Sequence, residues 1–240
     1  LFPYTTLFRS DHAMEVEASL HPEVSLTIYN ANRKAKNQIR DIDNMIEQNV
    51  DVIIVAPYES DSIVPVIEKA RAKGIPVIIV DRKANTSEYT SFLGADNLEV
   101  GRLAGKHIAS KSNGNANVIE IIGDPNTSPG LERSLGFEQI VKQYPGIKVF
   151  SIYSDYYGHP KTDYTKLLET LPKIDYVYSF NDLIAYNAWK IAKSKGLEKK
   201  IKFIGVDGLN GPFGGIQLVK DGVLESTILY PTGGSEAIKL

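Results

Sequence analysis

Residues 50–83 have the sequence VDVIIVAPYESDSIVPVIEKARAKGIPVIIVDRK, which predicts a strand, a helix and a second strand. The apolar runs VIIV and IPVIIV are unbroken and rich in β-branched side chains, as is typical of strands buried on both faces of a parallel sheet. Between them, Ile63, Ile67 and Ala70 recur at helical spacing, and Gly74 ends the helix. The stretch is therefore a βαβ unit, and in open α/β sheets ligands bind at the carboxyl ends of such strands.

The composition is that of a globular protein, with 240 residues, 42% hydrophobic and 23% charged residues, and a net charge of −2. This balance gives no electrostatic reason to expect direct binding to nucleic acid. The chain contains no cysteine, which excludes disulfides and zinc sites with thiolate ligands. Its apolar runs are far shorter than the ~20 residues that a transmembrane helix needs.

The first ten residues, LFPYTTLFRS, resemble the translation of a widely used DNA-sequencing adapter. We therefore expect residues 1–10 to be non-native and leave them out of the fold prediction. Residues 11–20 then predict the tail of a helix. The native start, with any signal peptide or first strand, is expected to be missing.

The rest of the chain alternates between strand and helix patterns. Before the βαβ unit, residues 24–29 predict a strand, and an apolar stripe from Ala35 to Ile46 predicts a helix. After it, strands are predicted at residues 90–95, 118–122, 147–153, 176–180, 201–206 and 224–229, with helices between them. Regular alternation of this kind predicts parallel sheets with helices on both faces.

One polar segment, SNGNAN at residues 112–117, interrupts the pattern and predicts a crossing between two lobes. We expect an N-terminal lobe over residues 11–113 and a C-terminal lobe over 114–230. Residues 231–240 would return towards the first lobe and begin a helix that the chain end cuts off. A single sheet of about ten strands is the alternative, but two lobes of about five strands each explain the interruption better.

Five strongly polar residues are predicted at the carboxyl ends of strands or at the starts of the following helices. They are Asp81, Arg82, Arg133, Asn181 and Asp207. Their carboxylates, guanidinium groups and amide can form bidentate, charge-assisted hydrogen bonds with neighbouring hydroxyls. Two negative and two positive charges fit a neutral polyol better than a phosphate.

Aromatic rings can stack on the C–H faces of a sugar, and Tyr58, Tyr156 and Tyr230 are predicted just after strands. Each candidate also has an ordinary structural explanation. A strand-end aspartate can cap a helix or pair with an arginine, Arg133 can be a solvated surface residue, and Asn181 can cap the helix after it. Tyrosines at strand ends can simply cover the core. Joint placement at one edge of the sheets is what favours a binding site.

Enzyme signatures are weak in this sequence. There is no GxSxG, HExxH, P-loop or GxGxxG motif, and GLNGPFGG at residues 208–215 has the wrong spacing for dinucleotide binding. The four histidines are scattered, and no cluster has metal-ligand spacing. We expect no cofactor and no metal. An α/β enzyme with Asp81 or Asp207 as its acid or base is the less favoured alternative.

The segments DVIIVAP, GIPVIIVDR, LGADNLEVGRLAGKHIA, ERSLGF, SFNDLIAYNAWKIAKSKG and IKFIGVDG occur in an order and spacing that resemble the type 1 periplasmic binding proteins. This family includes ribose-type sugar-binding proteins and the ligand-binding cores of LacI-type regulators. The resemblance extends from about residue 24 to the end of the chain. Among its branches, the chain is most similar to the periplasmic sugar-sensing domains of bacterial hybrid two-component regulators.

The resemblance implies an α/β fold of two Rossmann-like lobes with parallel sheets, here truncated at both ends. Three crossing strands would join the lobes, which would close on a sugar between them. It also implies that Asp81 and Arg82 are ligand contacts of the first lobe, and that Arg133, Asn181 and Asp207 belong to the second. The family often has glutamine where this chain has Tyr230, which leaves the identity of the ligand open.

The sequence therefore predicts a non-enzymatic periplasmic domain that binds a small carbohydrate, a monosaccharide. Lobe closure would signal to a membrane sensor kinase or to an ABC transporter permease. The alternative is the cytoplasmic core of a LacI-type repressor, and a homodimer is expected if the chain is part of a sensor or a repressor. A missing first strand would expose a sheet edge, so we expect the truncated product to be poorly stable.

Overall fold

The computed structural model describes residues 6–154, 162–231 and 234–239. The described residues divide into two compact units. The first comprises those in the ranges 1–95, 126–128 and 231–240, and the second those in 96–125 and 129–230. No helix in the described part of the chain is both long enough and apolar enough to cross a membrane.

Helices and strands alternate through both units. In chain order the described elements are α1 (Thr6–Ala18), α2 (Ala35–Glu47), β1 (Ile53–Val55), α3 (Val64–Ala72), β2 (Val77–Val80), β3 (Ser91–Leu93), α4 (Asn97–Lys111), β4 (Asn115–Ile122), α5 (Ser128–Val141), β5 (Gly146–Tyr153), α6 (Thr162–Thr170), β6 (Tyr176–Ser179), α7 (Asp182–Ser194), β7 (Lys202–Asp207), α8 (Gly215–Lys220), β8 (Ser226–Leu229) and α9 (Gly234–Ile238).

The first unit is built on a parallel sheet in the order β1-β2-β3. All four residues of β2 are buried, as the unbroken apolar run predicted. Val77 and Ile79 belong to a core cluster with residues of α2 and α3, whereas Ile78 and Val80 pack with Met14 of α1. Because strand side chains alternate between faces, this strand is covered by helices on both sides. The predicted βαβ unit of residues 50–83 is confirmed.

The predicted strand at residues 24–29 is wrong, because the structure forms no strand there. Val24, Ile28 and Tyr29 remain 38%, 40% and 38% exposed. An apolar alternating segment becomes a strand only when a neighbouring backbone pairs with it. Among the described residues, the first sheet consists of β1, β2 and β3 alone, and β1 pairs with β2 only.

The second unit contains a five-stranded parallel sheet in the order β5-β4-β6-β7-β8. The first strand of the unit, β4, has β5 on one side and β6 on the other. The strand order therefore reverses at β4, and the crevice at the carboxyl ends of β4 and β6 is where ligands bind in open α/β sheets. Val177 and Phe203 pack with α7 on one face, while Phe137 of α5 contacts Tyr178 on the other, with ring centroids 4.8 Å apart.

The boundary between the units differs from the sequence prediction. The polar segment 112–117 is not a crossing, because β4 begins within it at Asn115 and pairs with β5 from there onward. Helix α4, which the prediction included in the N-terminal lobe (residues 11–113), belongs to the second unit.

Two glycines explain why α4 belongs with the second unit. A Cβ atom on Gly101 would lie 2.0 Å from the carbonyl oxygen of Arg133, and one on Gly136 would lie 2.0 Å from that of Leu98. Helices α4 and α5 thus approach each other at backbone distance, which a larger residue at either position would prevent. The composition of SNGNAN gave no indication of this packing.

Candidate functional site

Arg133, Phe180 and Asn181 lie where the strand order of the second sheet reverses. Arg133 is in α5, the helix that follows β4, and Phe180 and Asn181 come directly after β6. β4 and β6 are hydrogen-bonded neighbours, so their carboxyl ends lie at the same edge of the sheet. The peptide N–H of Phe180 donates to the carbonyl of Ile121 over 2.9 Å, which extends the pairing to this edge. The sequence prediction had placed Arg133 and Asn181 at this edge.

The guanidinium group of Arg133 is held on several sides. Its Nε donates to Oδ1 of Asn97 over 2.9 Å, and one terminal nitrogen donates to the carbonyl oxygen of Phe180 over 2.7 Å. The rings of Phe180 and Tyr230 flank it, with centroids 4.6 Å and 4.7 Å from Cζ. Only 5% of Arg133 is exposed, which rules out the alternative of a solvated surface arginine. The protein itself therefore fixes the orientation of the planar group.

Asn97 and Tyr230 complete the enclosure of this arginine. Asn97 is 1% exposed, and its Nδ2 lies 3.5 Å from the hydroxyl oxygen of Tyr230. Tyr230 is 4% exposed, and its peptide N–H donates to the carbonyl of Asp207 over 3.1 Å. The tyrosine that the sequence suggested as a stacking surface therefore contacts Arg133 directly.

Asn181 and Asp207 lie at the carboxyl ends of two neighbouring strands. Asn181 comes just after β6, and Asp207 is the last residue of β7. Oδ1 of Asn181 accepts from the peptide N–H of Ile184 over 2.9 Å and so caps α7. The structural alternative considered for Asn181 is thus realised, and its amide nitrogen is the part of the side chain suited to donate to a ligand. Asp207 has a φ of 115°, a conformation that L-residues rarely adopt.

Asp182, beside Asn181, is a buried carboxylate that the sequence prediction did not single out. It is 4% exposed. Its oxygens accept from the peptide N–H of Gly208 over 2.9 Å and from the hydroxyl of Thr227 over 2.7 Å. Burial raises its pKa from 3.8 to about 6, although these hydrogen bonds act in the opposite direction.

The first unit brings together Asp81, Arg82 and Tyr58. Asp81 follows β2 with a φ of 63°, and its carboxylate Oδ2 lies 3.7 Å from Nε of Arg82. Arg82 also donates to the carbonyl of Tyr58 over 3.4 Å. The alternative that a strand-end aspartate pairs with an arginine therefore applies here, at a distance that is long for a direct hydrogen bond.

Polar side chains from neighbouring elements hold the loops around this group. Gln38 of α2 donates to the carbonyl of Ala56 over 2.8 Å and accepts from the peptide N–H of Tyr58 over 2.9 Å. Ser60 donates to the carbonyl of Lys83 over 2.9 Å. These bonds fix the backbone on both sides of the Arg82–Tyr58 contact.

Not every sequence candidate can be placed. Tyr156 lies outside the described residues. Asn97, Asp182 and Thr227 were missed by the sequence prediction. Asn97 had a detectable signal, because it comes just after a predicted strand, as Asn181 does, and opens a helix in the segment LGADNLEV. In the part of the chain that the structure describes, no group of three or more histidine or acidic residues could hold a metal ion.

Comparisons with known proteins give a consistent picture. Residues 10–238 match the family model of the periplasmic binding protein domain. The chain is 31% identical over 207 residues to the ribose import binding protein RbsB of Bacillus subtilis, a match that covers 85% of this chain and 66% of that protein. It is 29% identical over 202 residues to the galactofuranose-binding protein YtfQ of Escherichia coli, with 80% and 62% covered. The chain thus spans less than two thirds of the length of these two relatives.

Two solved structures are similar over nearly the whole chain. One is the fructose binding periplasmic domain of a hybrid two component system, with a TM-score of 0.93 and 35% identity over 98% of this chain and 79% of that one. The other is the binding protein of the arabinose ABC transporter of Shewanella sp. ANA-3, bound to L-arabinofuranose. It has a TM-score of 0.89 and 28% identity, covering 99% of this chain and 81% of that one.

Proposed function

The chain belongs to the periplasmic binding protein domain family, and we propose that it binds a small neutral sugar, a monosaccharide, without converting it. Family members are binding proteins, and the relatives and structures named above carry the names of sugars, namely ribose, galactofuranose, fructose and arabinose. The α/β fold with parallel sheets is the fold of this family.

The observation that carries the proposal is the held guanidinium of Arg133. An arginine side chain has five N–H donors. Two described hydrogen bonds, to Asn97 and Phe180, use one donor each and fix the plane of the group. The remaining donors can engage two adjacent hydroxyls of a sugar bidentately, at little further cost in side-chain entropy.

Carboxylates supply the complementary half of the recognition. Asp207 in the second unit is the last residue of a parallel strand, and Asp81 in the first directly follows one. Their carboxylate oxygens accept hydrogen bonds from the sugar hydroxyls, whereas Arg133 and Arg82 donate hydrogen bonds to the oxygens of those hydroxyls. We propose all four as ligand contacts, together with the Asn181 amide and with Tyr58, Tyr156 and Tyr230 as aromatic neighbours. Because the charges cancel, a neutral polyol fits this set better than an anion does.

We propose that the domain acts in the periplasm as the sensing part of a membrane receptor. The similarity to the fructose binding domain of a hybrid two component system, at 35% identity, supports this role. The similarity to ribose import binding proteins supports a second candidate, delivery of sugar to an ABC transporter permease. In either role, the sugar would shift the population of a closed conformation that the partner recognises.

A thermal-shift screen of pentoses, hexoses and disaccharides tests the proposal, followed by calorimetry on any sugar that stabilises the protein. We expect one monosaccharide class to raise the melting temperature in a concentration-dependent way. Arg133→Lys retains the charge but loses the planar fork, so it should abolish most of this shift. Arg102→Lys is the matched control, because the partners of Arg102 among the described residues are Glu99 and Gln139, at the surface of α4 and α5. A folded protein that responds to no sugar, or that converts the bound sugar, would contradict the proposal.

A further inference from the structure

Asp182 connects several elements of the second unit through one buried carboxylate. It is the first residue of α7, and its partners are Gly208 after β7, Thr227 of β8 and the peptide N–H of Gly215 at the start of α8. Thr227 Oγ1 also accepts from the Gly208 N–H over 3.1 Å, so the three groups form one network. Such a network is stable only while every member has its partner.

Two glycines, Gly205 and Gly215, provide the space that this carboxylate occupies. A Cβ atom on Gly205 would lie 2.1 Å from Oδ1 of Asp182, and one on Gly215 would lie 2.1 Å from Oδ2. Any side chain at either position would displace the carboxylate. The two glycines therefore keep the acid in contact with backbone N–H groups, which stabilise its charge away from water.

The network reaches both neighbouring candidates for sugar binding. Asn181 immediately precedes Asp182 in the chain, and Asp207 immediately precedes Gly208, whose N–H the carboxylate accepts. Asp207 needs support of this kind, because its φ of 115° is unfavourable for an L-residue. The hydrogen bond from the Gly208 N–H to Asp182 holds the backbone immediately after Asp207.

We propose that Asp182 is a positioning residue that fixes the Asp207 carboxylate relative to the Asn181 amide, without touching the sugar itself. The proposal rests on the proposed sugar-binding function. Asp182 is too deeply buried, and its oxygens are too fully occupied by protein donors, to serve as a ligand contact. Its effect on binding is transmitted through the turn at Asp207 and Gly208.

Three variants test this role. Asp182→Asn keeps the shape but can place an N–H donor opposite the Gly208 N–H, so it should release the turn. Thr227→Val removes only the hydroxyl of the network and is a milder change that keeps the test informative if the first variant folds poorly. Asp175→Asn is the matched control. Asp175 also accepts a peptide N–H, from Asn117 over 2.9 Å, but it precedes β6, at the opposite end of the sheet.

Two measurements are made on each variant: amide hydrogen exchange of residues 207–208, without ligand, and sugar affinity by calorimetry at a temperature where the variant is folded. We expect Asp182→Asn to accelerate exchange and to weaken binding roughly tenfold or more, and Thr227→Val to do so by roughly threefold. Asp175→Asn should leave both unchanged.

The outcomes separate this inference from the proposed function. Protected exchange at Gly208 in Asp182→Asn would overturn the positioning role, whether or not a sugar is known. If wild-type protein binds a sugar and Asp182→Asn binds it equally well, the inference fails alone. If wild-type protein binds no sugar, the proposed function fails, and a positioning role in sugar binding is overturned with it.

Discussion

Oδ1 of Asn97 accepts a hydrogen bond of 2.9 Å from Nε of Arg133, and both residues are almost completely buried. Asn97 is the first residue of α4 and Arg133 lies in the second turn of α5. The pair therefore joins the two helices whose backbones approach at Gly101 and Gly136. A buried guanidinium that loses such a partner keeps its desolvation penalty without compensation.

Asn97→Ala should lower the free energy of unfolding by about 1–3 kcal/mol, because it leaves the Arg133 Nε–H unpaired in the interior. Urea denaturation followed by circular dichroism measures the change. Asn115→Ala is the control, because Asn115 is exposed and its Nδ2 donates to the nearby carbonyl of Asn113. Equal losses in the two variants would show that the Asn97–Arg133 bond adds no stability.

Gly136→Ala should destabilise the protein, although alanine is normally the better helix former by about 1 kcal/mol. The new Cβ would lie 2.0 Å from the carbonyl oxygen of Leu98, so α4 and α5 would have to separate. We expect a loss of about 1–3 kcal/mol in unfolding free energy, as for other overpacked sites. Ser110→Ala, at an exposed position of α4, should change stability by less than about 0.5 kcal/mol. A more stable Gly136→Ala variant would contradict the close helix packing.

The sequence predicted those features of the fold best that depend on residues close together in the chain. The run IPVIIV became the fully buried strand β2, and the polar residues Arg133 and Asn181 lie at the edge of the sheet where strand-end logic placed them. Asn97 was missed for a different reason. Its role depends on α4 packing against α5, and this contact joins residues 36 positions apart in the sequence.

The two wrong expectations also depend on contacts that a local pattern cannot show. Residues 24–29 have a strand pattern, but among the described residues no backbone pairs with them. The SNGNAN segment has the composition of a linker, yet Asn115 begins an eight-residue strand because β5 offers a full parallel register. Composition indicates which structures a segment can form, but the segment becomes a strand only where a neighbouring strand pairs with its backbone.

The stability of the protein should depend on pH through Asp182. Burial raises its pKa in the folded state to about 6, above the ordinary aspartate value of 3.8, so the folded protein binds this proton more tightly than the unfolded chain does. The contribution to stability is therefore present below about pH 4 and is lost as the pH rises through about 6. Two pKa units correspond to about 3 kcal/mol.

Comparison of the wild-type protein with Asp182→Asn isolates this contribution. The difference in unfolding free energy between the two, measured by urea denaturation at pH values from 4 to 8, should change with pH mainly between pH 4 and 6.5. Glu120, whose pKa burial also raises, is present in both proteins and cancels in the difference. A difference that is constant with pH would show that Asp182 titrates alike in the folded and unfolded states.

Two substitutions at Asp207 should differ in stability but not in binding, because its carboxylate is a proposed sugar contact while its backbone is strained. Glycine adopts a φ of 115° without penalty, so Asp207→Gly should be more stable than Asp207→Ala by about 1–3 kcal/mol. Both variants lack the carboxylate, and both should lose about 2–4 kcal/mol in sugar affinity, since ligand hydroxyls and arginine donors are left unpaired. Urea denaturation gives the first quantity and calorimetry the second. Equal stability of the glycine and alanine variants would show that the backbone at Asp207 is unstrained, whereas unchanged affinity in either would remove Asp207 from the site.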